Sequence, residues 1–167
     1  MNRSQTRYLV LTALCVALGV VLPVATHGLP NAAKVLLPMH IPVLLCGLIT
    51  PWPFGLACGV LAPVLSSLIT GMPPAAILPS MVCELAAYGL IASLLSRRVR
   101  LPRRTAELYV CLLGAMLLGR AVYGIMNALV FSAGSYGWGI FVSAAFVAAA
   151  PGIVIQLILI PPVILLL

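Results

Sequence analysis

The stretch Leu36–Gly89, LLPMHIPVLLCGLITPWPFGLACGVLAPVLSSLITGMPPAAILPSMVCELAAYG, decides the fold. Three apolar runs follow one another in it, joined by the turn Thr50–Pro53 and by the loop Thr70–Pro74. The turn is so short that the runs on either side of it must be antiparallel neighbours. Pro38 and Pro42 each remove a backbone donor from the first run, which is therefore expected to be kinked or locally unwound beside a cavity or neighbours that satisfy the freed carbonyls. The third run carries Glu84 into surroundings where a carboxylate is expensive.

Working outward, the whole chain shares this character. Of its 167 residues 63% are hydrophobic and 7% charged, with a mean hydropathy of +1.24, against roughly 45–50% apolar residues in a soluble domain. The composition predicts an all-α integral membrane protein. At about 20 residues per span, the chain has room for six transmembrane helices in a single domain, 1–167, and for no soluble domain. The expected spans are about 8–25, 32–49, 54–69, 75–95, 108–131 and 139–167, the last bent near Pro151. The first is too long for a secretory h-region and lacks an A-x-A site, so it reads as an uncleaved helix. Ala13 and Ala17 lie four apart on one of its faces, a small-residue surface where another helix can approach closely, in the bundle or outside it.

The net charge of +7 does not point to nucleic acid, because the basic residues flank apolar runs and form no stripe with stacking aromatics. It sets topology instead. Arg3, Arg7, Arg97, Arg98, Arg100, Arg103 and Arg104 fall on one side and Lys34 on the other, so the positive-inside bias predicts a cytoplasmic amino terminus. The loops 26–31, 70–74 and 134–139 then face outward. The cysteines Cys15, Cys46, Cys58, Cys83 and Cys111 form no C-x-x-C pair and read as small buried hydrophobes.

Glu84 lies nine residues into its span, roughly 14 Å down at about 1.5 Å per residue, near the bilayer midplane. Arg120 reaches a similar depth from the other side, so the two are expected to face the bundle interior and to pair. Arg120, Tyr123 and Asn127 stand at i, i+3 and i+7 on one helical face, and Glu84 and Tyr88 share a face of their own helix. Together they predict a pocket open to the outside with a charged floor, in which Arg120 anchors an anion through its planar fork. The alternative is an ion pair that only fixes helix register. Asn31 and Lys34 are candidates for a lid, and His40 is with them a candidate for binding the substrate. His40 and His27 lie near the outer ends of the first two spans without the H-x-x-x-H or H-E-x-x-H spacing of a metal site, and no metal is expected.

Several patterns carry a family resemblance: LLPMHIPVLLCGLI, the run G-x-x-x-G-x-L-x-P-x-L-S-S-L from Gly55 to Leu68, the loop TGMPP, and MVCELAAYGL from Met81 to Leu90. With A-x-x-x-A in the first span and six spans in so short a chain, the sequence resembles the substrate-binding S components of energy-coupling factor (ECF) vitamin transporters over nearly its whole length. The resemblance implies a subunit that captures a vitamin from outside and docks on a transmembrane T component carrying two ATPases. It further implies that Ala13 and Ala17 meet the T component. Thr70, Gly71 and Met72 match the family's gating loop, and Glu84, Arg120, Tyr123 and Asn127 fall on the helices that line its pocket. PMHIPVLL and GMPP are most similar to members assigned to pantothenate; pyridoxine, folate, cobalamin and a queuosine precursor are the other ligands to consider. The resemblance places the chain in a prokaryotic plasma membrane, binding no cofactor itself, with ATP used by its partners.

No G-x-x-x-x-G-K-[ST] loop is present, and the sole lysine is Lys34, so this chain does not bind ATP through a P-loop. A lipid-modifying enzyme with Glu84 as base would need a nucleophile or second acid beside it, which the sequence lacks. A self-sufficient ion-coupled carrier would show matched broken helices, and Pro42 and Pro151 do not occupy equivalent positions. The expectation is a transport subunit, not an enzyme.

Overall fold

The computed structural model describes residues 3–26, 37–128 and 149–166, with 139, 141, 143 and 147. Apolar runs fold as helices because only a helix satisfies its own backbone polar groups away from water. The elements follow in the order α1 (Arg3–Thr26), α2 (His40–Ile49), α3 (Trp52–Thr70), α4 (Leu78–Arg98), α5 (Arg104–Met126) and α6 (Ala150–Leu166). Among these, α1, α3, α4 and α5 are long and apolar enough to cross a membrane, whereas α2 and α6 are apolar but shorter. Their outer surfaces carry leucine, isoleucine and valine side chains such as Val10, Leu68, Leu117 and Ile125. So much exposed apolar area suits lipid, not water.

The expected second span, 32–49, lies partly outside the described residues. Its described helix starts at His40, after a turn in which the His40 N–H donates to the Leu37 carbonyl at 3.0 Å. Pro42 is thereby the third residue of α2, where its missing N–H would have had no helical partner anyway. The helix therefore accommodates Pro42 by beginning just before it. With 10 residues at about 1.5 Å each, α2 covers about half of a bilayer core. Pro151 likewise sits second in α6, while Pro161 and Pro162 lie inside that helix.

Thr50 and Pro51 alone separate α2 from α3, and the two helices pack against each other as the short turn requires. Helices α3 and α4 make the most intimate pair. A Cβ on Gly89 would strike the Gly55 carbonyl, and one on Gly59 would strike the Leu85 carbonyl, so the backbones touch where side chains would normally stand. Ser93 then ties α4 to α2, donating to the Gly47 carbonyl at 2.8 Å as well as to its own helix at Gly89. The core between them holds Val43, Leu44, Leu85, Tyr88, Leu112 and Ile160.

From α1 to α5 the helices alternate in direction, as the residues around one cavity show. The end of α1, the start of α2, the end of α3, the start of α4 and the end of α5 meet at one pole of the bundle. The exposed arginines 97, 98, 100, 103 and 104 lie at the other.

Candidate functional site

That first pole encloses a cavity of about 630 Å³, lined by Pro23 of α1, Leu37–His40 at the head of α2, Met72–Pro74, Ile77, Ser80, Met81 and Glu84 of α4, and Arg120 and Tyr123 of α5. Its wall is mostly apolar, with a few polar groups gathered at the floor. Small-molecule sites have this composition and this size.

The floor is organised around one oxygen. Glu84 Oε1 lies 2.9 Å from Arg120 Nη1, accepts a hydrogen bond of 3.1 Å from the Tyr88 hydroxyl, and stands 3.6 Å from His40 Nε2. All four side chains are buried. Their positions have local causes. Glu84 and Tyr88 are one turn apart on α4 and so share a face. Gly119, beside Arg120, leaves room for the Tyr88 ring, since a Cβ there would overlap it. His40 is the first residue of α2, at the pole that holds the cavity, and its ring meets Tyr88 edge-on at a centroid distance of 5.3 Å.

Burying two charges costs several kcal/mol each, roughly, and close pairing offsets that only when the remaining polar groups are also satisfied. Here they are not all satisfied. Among the described residues, Arg120 Nε, both ring nitrogens of His40 and Gln156 Nε2 are buried without a hydrogen-bond partner. Such groups are uncommon in a finished structural core, and Arg120 and His40, unlike Gln156, line the cavity.

One wall of the cavity is the loop after α3. Gly71 closes the helix in the left-handed conformation (φ 71°), its N–H donating to Ser67. Ser66 Oγ donates to the Met72 carbonyl at 2.7 Å and Ser67 Oγ to the Pro73 carbonyl at 2.9 Å. Thr70 Oγ1 donates to Ser66 and accepts from the Met72 N–H at 3.2 Å. The last turn of α3 thus holds the loop by its hydroxyls.

A family model, ECF transporter, substrate-specific component, matches residues 7–164. The chain belongs to this family. No curated protein and no solved structure matches it. Members of the family are the substrate-binding subunits of ECF transporters, working with T and ATPase modules; they are transport proteins and not enzymes. For this S component the cavity is accordingly the place to look for the substrate.

Among the residues singled out in the sequence, the structure brings Glu84, Arg120, Tyr123, His40 and Met72 to the cavity wall, with Tyr88 directly beneath Glu84. Thr70 and Gly71 lie behind the wall, shaping the loop. Asn127 is buried but does not line the cavity; its amide donates back to the Tyr123 carbonyl at 2.8 Å. Asn31, Lys34 and His27 lie outside the described residues. Ala13 and Ala17 are exposed on the outer face of α1. Sequence reasoning missed Ser66, Ser67 and Ser80 as parts of the site. The adjacent Ser66 and Ser67 just before a Gly-Met-Pro-Pro turn are the signal that could have found the first two, since hydroxyls in a last helical turn readily bond nearby backbone.

Proposed function

We propose that this S component captures a small acidic vitamin, with pantothenate the best candidate, from the outer face of a prokaryotic plasma membrane and delivers it to a T component and two ATPases. The carrying observation is Arg120 at the cavity floor, held by Glu84 through Nη1 while its buried Nε has no hydrogen-bond partner among the described residues. A guanidinium takes a carboxylate as a two-pronged fork. Pantothenate supplies that carboxylate, and its hydroxyls and amide suit Tyr123, Ser80 and His40. The arginines at the opposite pole support a cytoplasmic location for that end, so the cavity opens outward. Exposed Ala13 and Ala17, one turn apart, support α1 as the face that docks on the T component.

Calorimetry on the purified chain in detergent tests the ligand against a panel of pantothenate, pyridoxine, folate, cobalamin and a queuosine precursor. Nanomolar binding of pantothenate without ATP or partners is the expected result. Tight binding of another member with none of pantothenate would reassign the substrate.

A further inference from the structure

Among the described residues the charges at this site balance. Of those that line the cavity, Glu84 and Arg120 are the ionised pair and cancel each other at 2.9 Å. An anion that enters leaves the buried floor with one negative charge in excess, and an uncompensated charge is costly in such surroundings. His40 stands where that excess can be removed. Its Nε2 is 3.6 Å from Glu84 Oε1, just beyond hydrogen-bond range, and both its ring nitrogens are buried without a hydrogen-bond partner among the described residues.

We propose that His40 takes up a proton from water when an anionic ligand enters, and that the site thereby selects carboxylates over neutral molecules of the same shape. The geometry provides an exchange of partners. The ligand's carboxylate takes the guanidinium of Arg120, whose Nε has no hydrogen-bond partner among the described residues. The imidazolium of His40 closes the gap to Glu84 Oε1, where Tyr88 already donates. Two carboxylates then face two cations, and the site is neutral again.

The groups around His40 leave this role to Glu84. From α4 come Glu84 and Tyr88, and from α5 Arg120. Toward α2, α1 and α3 bring the thiols Cys15 and Cys58, which gather round Cys46 some six residues further along. Arg3, Arg7 and Tyr8 lie at the opposite end of α1, and α6 carries no ionisable residue. Among the described residues Glu84 is thus the one anion that rewards a charge on His40. The inference rests on the cavity being the ligand site, not on pantothenate being the ligand.

The test pairs acids with neutral twins on the purified full chain: pantothenate with panthenol, biotin with biotinamide, and nicotinate with nicotinamide. Calorimetry in buffers of different ionisation enthalpy between pH 6 and 8 reads affinity and protons together. At least one acid should bind at least about 30-fold tighter than its twin, the loss typical of a removed charge partner. It should take up about one proton, so that its affinity strengthens by up to about tenfold per unit fall in pH where histidine titrates. His40→Gln should abolish the proton uptake and flatten the pH dependence; the wild-type measurements stand without it if that variant misfolds. A twin as tight as its acid, an acid bound without proton uptake, or uptake that persists in His40→Gln overturns the inference. An acid other than pantothenate binding with the proton would remove the pantothenate reading and keep this one. A folded chain that binds none of the acids would remove both.

Discussion

At the scale of single residues, the site turns on a carboxylate oxygen approached by an arginine, a tyrosine and a histidine. Opposite consequences follow for the two charged partners. Arg120→Ala strands Glu84 in the bundle, and breaking a buried pair from one side costs about 3–5 kcal/mol. The variant should melt at lower temperature and lose anion binding by about 100-fold or more, as expected when a buried charge partner is removed. Glu84→Gln instead leaves the guanidinium unneutralised, so an acidic ligand should bind more tightly and without proton uptake. Calorimetry on both variants, with thermal unfolding as a folding control, separates a ligand anchor from helix glue: weakened binding in both would favour glue. The pairing of Glu84 with Arg120 was legible in the sequence because both charges lie at similar depth in apolar helices and no other intramembrane acid stands in the outer half. His40 was not legible as their neighbour. Its depth depends on where α2 begins, and Pro38 and Pro42 allow several starting points. Asn127 shows the converse: its spacing put it on the face of Arg120, but a free amide near a helix end can turn back to its own carbonyls, and it does.

At the scale of elements, the loop over the cavity and the contact between α3 and α4 govern how well the site is held. Ser66 and Ser67 fasten the loop through the Met72 and Pro73 carbonyls. Each such hydrogen bond contributes about 1 kcal/mol net. The double variant Ser66→Ala with Ser67→Ala should release ligand about five- to tenfold faster with little change in association; unchanged dissociation would mean the loop does not gate. The α3–α4 contact leaves no room for a methyl group at Gly89, because Gly55 backbone already occupies it. Gly89→Ala should destabilise the fold by about 1–3 kcal/mol, the usual range for an overpacked site, and weaken ligand binding because α4 carries Glu84. Leu94→Ala on the exposed side of α4 is the control, expected to leave the melting temperature nearly unchanged. Gly55 and Gly59 entered the reading of the sequence only as part of the family resemblance, and which helix comes close to them cannot be read from one sequence. The partner is fixed by the tertiary placement of Leu85 and Gly89.

At the scale of the whole molecule, composition was decisive because a backbone in lipid has few ways to satisfy itself. Hence an all-helical membrane chain could be read directly, while the length of α2 and the convergence of five helix ends on one cavity could not. That arrangement separates the molecule's tasks. The cavity lies at one pole, the arginines from Arg97 to Arg104 at the other, and Ala13 and Ala17 are exposed on the outer face of α1. On the inward face of α1, Thr12, Cys15 and Val16 make the packing contacts, so enlarging Ala13 adds volume outside the core. Ala13→Leu should therefore fold normally and bind ligand with wild-type affinity. A partner helix that must approach closely would be held off by the added isobutyl group, so ATP-driven uptake should fall by about tenfold or more, given about 1.4 kcal/mol per decade of docking affinity. The measurement is ligand binding by the isolated variant beside uptake in vesicles that contain the T component and ATPases. Normal uptake would assign α1 to lipid and move the docking surface elsewhere. Loss of binding in the isolated chain would show that α1 shapes the cavity, where Pro23 already contributes to the wall.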